Sequence, residues 1–146
     1  MRSRTLFFYG TLQFPAVLEA VTGRRLACET AVLDGYARFR VRGEVYPGIV
    51  AAAGAHVPGV ICSGVDPVAL ARVDRFEGEM YRREPVQVRA GRDGHAVDAE
   101  TYVIRPRWRG LLADAPWDPD EFARRWHDAY VREGIAERRA RGTLVR

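Results

Sequence analysis

Lysine and asparagine are both absent from this chain, and all 23 of its Lys/Arg positions are arginine. Without lysine there is no Schiff-base chemistry and no phosphate-loop lysine. Without asparagine there is no Cys-His-Asn catalysis and no N-glycosylation. Serine is almost missing as well. Ser3 and Ser63 are the two present, and Ile61-Cys62-Ser63-Gly64-Val65 lacks the glycine that a hydrolase elbow needs two residues before its nucleophile. Ser63 therefore reads as an ordinary strand residue. The three histidines, His56, His95 and His127, lie far apart and form no metal motif with a neighbour, so they read as surface residues and no metal is expected. No glycine pattern of the dinucleotide or phosphate-loop type occurs.

Long apolar runs are missing too. None approaches the ~18 residues of a membrane span. Leu6-Phe7-Phe8, after the basic Met1-Arg2-Ser3-Arg4, is too short for the apolar region of a signal peptide. These features predict a cytoplasmic protein with no membrane partner. Only two cysteines occur, Cys28 and Cys62, without metal or redox spacing. Both sit in apolar stretches, which predicts reduced, buried core residues.

What is present suits one domain over residues 1–146, with 106–146 as a helical extension packed on it. Hydrophobic residues make up 47% and charged residues 29%, ordinary for a globular chain. A domain of this size buries roughly two-thirds of its unfolded surface and needs no disulfide or metal to hold together. The net charge is +4. Arginines are interleaved with Asp and Glu along most of the chain, and only Arg138 to Arg146 is locally basic. No nucleic-acid partner is expected; a binder using that tail would show salt-sensitive affinity.

Thr5 to Tyr9 is a β-branched and aromatic run ending at Gly10, which predicts a buried strand. Helical spacing follows from Pro15 and stops at Gly23, so Gly10 to Phe14 is a strand-to-helix turn. Ala31 to Val41, broken at Asp34-Gly35, predicts a bent strand or two strands. Tyr46 to Val50 reads as a turn and a short strand. Val57 to Val65 is apolar, with Gly59 and Gly64 marking a bulge or a close backbone approach. Asp66-Pro67 opens a helix with a capping carboxylate and proline at its first position. Val68, Leu70, Ala71, Val73 and Phe76 supply its apolar positions, and Gly78 ends it. Tyr81 to Ala90 and Ala96 to Ile104 form a hairpin around Gly91-Arg92-Asp93-Gly94. Pro106 to Pro119 is loop-like. A last helix starts at Asp118, with Phe122, Trp126, Ala129 and Tyr130 on one face, packed on the barrel or used as a dimer contact. Beyond Arg138 this stripe fades and fraying is expected. Six or seven strands and three helices that do not alternate regularly predict an α+β fold built on a small, mixed, mostly antiparallel β-barrel with flanking helices.

Two segments could carry chemistry. In Phe7-Phe8-Tyr9-Gly10-Thr11-Leu12, a strand turning toward a helix leaves backbone N–H groups unpaired, and such groups bind anions and developing oxyanions. The bland alternative is a turn that needs Gly10 for steric reasons. In the second segment Glu77 sits at a helix end, beside Phe76 and before a strand. A helix C-terminus is a poor place for an anion, and burial there suits a group that takes and gives a proton near neutral pH. The competing reading is that Glu77 pairs with one of the many arginines.

Taken together, Tyr9-Gly10-Thr11-Leu12 after an N-terminal strand and the later Glu77-Gly78-x-x-Tyr81-x-Arg83 run resemble the γ-glutamylcyclotransferase-like superfamily. The resemblance continues through Tyr46-Pro47-Gly48-Ile49-Val50 and Val57-Pro58-Gly59-Val60, and covers roughly residues 5 to 104. The segment holding Trp117, Phe122, Trp126 and Tyr130 is similar to the avirulence-induced branch. The resemblance implies a barrel with a pocket at one end. It implies that Tyr9, Gly10, Thr11 and Leu12 bind the glutamyl part of a small-molecule γ-glutamyl substrate, that Glu77 is the acid/base, and that Tyr81 lines the pocket. It implies release of 5-oxoproline and a free amine, with no cofactor. Arg38 and Arg83 are candidates for holding the substrate carboxylate. The alternative is a non-catalytic module that keeps the pocket and binds a small ligand or a protein. A monomer or a homodimer is expected.

Overall fold

The computed structural model describes residues 2–140, and of residues 137 and 138 the backbone alone. Five strands close into a barrel in the order β1-β3-β2-β4-β5. They are β1 (Arg4–Phe8), β2 (Cys28–Arg40), β3 (Pro47–Val65), β4 (Tyr81–Ala90) and β5 (His95–Ile104). Every pairing is antiparallel except the closing one, where β1 runs parallel to β5 at Leu6↔Glu100. The fold is the expected mixed α+β arrangement, but with five strands.

The lower strand number has two causes. Residues 47–65 form one 19-residue strand, because Gly54 takes a positive φ of 82° and lets the chain bend without ending the ladder. Cys28 to Arg40 is likewise continuous. Its register shifts between Asp34 and Tyr36, around Gly35 at φ 84°, where the extra residues lie on β3, so the Asp34-Gly35 break is a register shift inside one strand.

Strand alternation divides the core in two. From β1, Phe7 and then Tyr9 point into the barrel, where they meet Leu33, Ile49, Val57, Ile61, Val88 and Val103. Leu6 and Phe8 point outward to a second apolar layer under the helices. Gly59 is required where β3 passes β1: a Cβ there would lie 2.3 Å from the Phe8 carbonyl oxygen.

Helix α1 (Pro15–Thr22) ends at Gly23 in the left-handed conformation. Helix α2 (Pro67–Glu77) starts at Asp66, whose side chain accepts from the Ala69 N–H at 2.8 Å. Its buried face is Ala69, Val73 and Phe76. Val68 is 51% exposed and Ala71 is exposed, so neither belongs to the core stripe that the sequence suggested. Residues Pro106–Leu111 form a 3-10 turn.

The C-terminal helix is broken. Helix α3 (Pro119–Arg125) and helix α4 (His127–Arg132) are separated by Trp126, at φ −126°. The break turns Trp126 outward, 40% exposed, while Phe122 and Tyr130 stay in the outer core with Trp117. The single four-residue stripe is therefore not one face of one helix. A further helix, α5 (Ile135–Ala140), follows and buries Ala136, Arg139 and Ala140. The expected fading and fraying beyond Arg138 therefore do not hold for Arg139 and Ala140, which are helical and buried; the rest of that segment, positions 141–146, lies outside the described residues.

The two cysteines do not stay reduced. Cys28 and Cys62 face each other across the β2–β3 ladder with Cα atoms 4.1 Å apart, and they form a disulfide. Cys62 is fully buried, but Cys28 sits at the exposed start of β2, so the pair is not the two core thiols the sequence suggested. Among the described residues no helix is long and apolar enough to cross a membrane, and no three His, Cys, Asp or Glu side chains gather as a metal site.

Candidate functional site

A small cleft, with free space of about 20 Å³, lies where the end of β1, the start of β3 and the end of α2 meet. It brings together six of the eight residues singled out from the sequence: Tyr9, Gly10, Thr11, Leu12, Glu77 and Tyr81.

The turn after β1 is a 3-10 turn over Thr11–Gln13. Gln13 N–H donates to the Gly10 carbonyl at 3.1 Å and Phe14 N–H to the Thr11 carbonyl at 3.3 Å. The N–H groups of Gly10, Thr11 and Leu12 have no acceptor among the described residues. Three consecutive donors left over by the turn line a cleft, which is the arrangement that accommodates a negatively charged oxygen. Gly10 is there for space: a Cβ would come 3.0 Å from Cδ and 3.1 Å from Cγ of Pro47.

Tyrosines brace this turn. The Tyr9 hydroxyl donates to the Tyr102 carbonyl at 2.6 Å, and the Tyr81 hydroxyl to the Pro47 carbonyl at 2.6 Å. Burial, then the neighbouring Tyr81 and Glu77, push the Tyr9 phenol well above its ordinary value, so it remains a neutral donor. Tyr102, also at the cleft, donates to Asp74 at 2.5 Å, and burial first and that bond second raise its phenol too.

Glu77 is the last residue of α2, and Gly78, at φ 80°, turns the chain away into β4. That reversal separates the two carboxylates of Glu77-Gly78-Glu79. Glu77 is half-buried and lines the cleft, whereas Glu79 is exposed.

Neither candidate carboxylate-binding arginine lines the cleft. Arg83 is held between Asp74, at 3.2 and 3.3 Å, and Glu100 at 2.9 Å. Arg38 lies behind the turn, donating to the carbonyls of Tyr9 at 2.8 Å and Pro58 at 3.2 Å, with its guanidinium over the Trp117 ring. The arginine that does line the cleft is Arg139, from α5. With 23 arginines and no lysine, composition offered no signal to single it out.

A closed α+β barrel carrying a donor-rich turn and a helix-end carboxylate at one cleft defines a γ-glutamyl-cyclotransferase-like protein. The family model described as "Gamma-glutamyl cyclotransferase, AIG2-like" matches residues 6–126, and the chain belongs to that family. AIG2-like protein C of Arabidopsis thaliana is 35% identical over 128 residues, 84% of this chain and 70% of that protein. The chain spans less than two-thirds of the length of further Arabidopsis relatives. A solution structure of an Arabidopsis thaliana protein is 31% identical and superposes with a TM-score of 0.68, covering 91% of this chain and 80% of that one. A solved γ-glutamyl cyclotransferase shares the fold at 18% identity, with a TM-score of 0.65 over 93% of this chain and 80% of that one.

Proposed function

We propose that the protein is a γ-glutamyl amide cyclotransferase, with Glu77 as its acid/base and the Gly10–Leu12 N–H groups as its oxyanion donors. The observation that carries this reading is the meeting of Glu77 with the Tyr9–Leu12 turn on one cleft, across 64 residues of intervening chain.

The substrate's α-amine attacks its own γ-carbonyl carbon. A C–N bond forms, and the carbonyl electrons move onto oxygen, facing the turn's N–H groups. The Glu77 carboxylate takes a proton from the attacking nitrogen and returns it to the departing one. The original amide bond then breaks, releasing 5-oxoproline and an amine. Water is not consumed. Because the nucleophile is tethered to its electrophile, folding the substrate into a near-attack shape supplies much of the rate, up to about 7–11 kcal/mol in well-oriented cases. Bracing of the turn by Tyr9 and Tyr81 suits a site that works by holding a shape.

A panel of γ-glutamyl amides, including glutathione, γ-glutamyl amino acids and γ-glutamyl-lysine isopeptides, scored for 5-oxoproline, tests the proposal. Wild-type protein should turn over at least one. Glu77→Gln should abolish that activity with the melting temperature little changed, and Glu79→Gln, altering an exposed group, should retain it. Loss on Glu79→Gln with retention on Glu77→Gln would assign the proton relay to the other carboxylate. Binding without turnover by the wild type would instead support a non-catalytic binding module.

A further inference from the structure

We propose that Arg139 is the carboxylate anchor of the cleft, so that α5, beyond the segment matched by the family model, sets the charge of the ligand this protein accepts. The assignment rests on the cyclotransferase reading and names the group that holds the substrate's α-carboxylate.

Arg139 is only 6% exposed. Its guanidinium lies over two aromatic rings, with Cζ 4.2 Å from the Phe76 ring centre and 4.7 Å from that of Tyr46. Its hydrogen bonds among the described residues go to neutral oxygens: the Tyr130 hydroxyl at 2.7 Å and the Phe76 carbonyl at 2.9 Å. No described carboxylate lies within ion-pair distance of it. A guanidinium carries five N–H donors in one plane, so these two bonds leave further donors over. A cation removed from water is costly unless an anion answers it. Burial works against the charge, while Tyr130 and Glu77 favour it, and the guanidinium is held above its ordinary value.

Geometry gives that charge a direction. The donors left over lie in the plane of the guanidinium, the geometry that matches a carboxylate. Arg139 lines the same cleft as Glu77 and the Gly10–Leu12 turn. Its bond to the Phe76 carbonyl ties it to the residue that precedes Glu77. The family model ends at Trp126, so α4 and α5 add this cation to a site otherwise built within the family segment. Arg75 donates to the Ala140 carbonyl at 3.4 Å and helps hold α5 against α2.

A cycle between one residue and one ligand group tests this without requiring turnover. Binding of 5-oxoproline and of 5-oxoprolinamide, which replaces the carboxylate by a neutral amide, is measured for wild type, Arg139→Gln and Arg139→Lys. Wild type should prefer the acid by roughly tenfold or more, as expected for charge-assisted hydrogen bonds. Arg139→Gln should lose that preference by weakening the acid and sparing the amide. Arg139→Lys should keep part of it, since lysine retains the charge but not the planar fork. In wild-type protein the Arg139 guanidinium N–H resonances should shift with the acid and not with the amide. This readout holds even where a variant fails to fold. An unchanged acid preference in Arg139→Gln, or guanidinium signals that ignore bound 5-oxoproline, would overturn the assignment while leaving the cyclotransferase reading intact. Absence of binding by either compound to wild type would remove that reading and this assignment together.

Discussion

The Arg38 guanidinium donates to the backbone carbonyl of Tyr9 at 2.8 Å, and the Gln13 side-chain amide donates to the same oxygen at 2.9 Å. The Tyr9–Gly10 peptide is trans, so pinning its carbonyl on one side directs the Gly10 N–H to the other. Arg38 thus aims a donor without touching the cleft. Arg38→Met should leave a folded protein and lower turnover of a γ-glutamyl amide by roughly tenfold or more, since small misplacements of reacting groups carry large kinetic penalties. Steady-state kinetics beside a thermal melt is the check; wild-type kcat/KM in the variant would show that Gln13 holds the turn alone.

Gly10→Val probes the same turn from within. The new side chain would press on the Pro47 ring, whose carbonyl is held by Tyr81. Overpacking of this kind costs about 1–3 kcal/mol, which a 146-residue domain survives. Ligand binding and turnover should fall much further than the melting temperature. A variant that is strongly destabilised yet fully active per folded molecule would make the glycine a purely structural requirement.

The disulfide should matter to stability. It closes a span of 34 residues, for which the chain-entropy account allows about 3–4 kcal/mol. Reduction, or the Cys28→Ser/Cys62→Val pair, should lower the melting temperature with the β-signature of the spectrum preserved, because the β2–β3 ladder extends far beyond these residues. Identical melts for oxidised and reduced protein would mean that the ladder alone holds the strands in place.

Asp66 supplies a pH-dependent contribution. The Ala69 N–H, followed by Arg24, lowers its carboxyl from the ordinary 3.8. A folded-state value below the unfolded one means that the unfolded chain binds more protons in acid. The contribution is therefore complete above about pH 4 and is lost as pH falls through the depressed value. Asp66→Ala should melt below wild type at pH 7, and the gap should close toward pH 3. A gap that stays constant down to pH 3 would locate the effect in the backbone of the cap.

Local chemistry determined much of this protein. Asp66-Pro67 starts α2 and Gly78 ends it, which puts Glu77 at a helix end whatever the rest of the chain does. Gly23 stops α1, and the Gly91–Gly94 stretch turns β4 into β5. The Gly10 turn leaves its donors unpaired by its own geometry. The features that only the tertiary structure decided depend on pairing between distant segments. Cys28 meets Cys62 because the β2–β3 register sets them opposite each other, and spacing along the chain carries no record of register. Residues 47–65 remain one strand because β2 pairs with it on both sides of the glycine at 54, along 47–51 and again along 56–62. Trp126 points outward because the helix breaks there, overriding the periodic stripe. Of the arginines, Arg38 braces, Arg83 is held by carboxylates and Arg139 faces the cleft. One residue type serves all three roles, so only the three-dimensional surroundings of each guanidinium distinguish them.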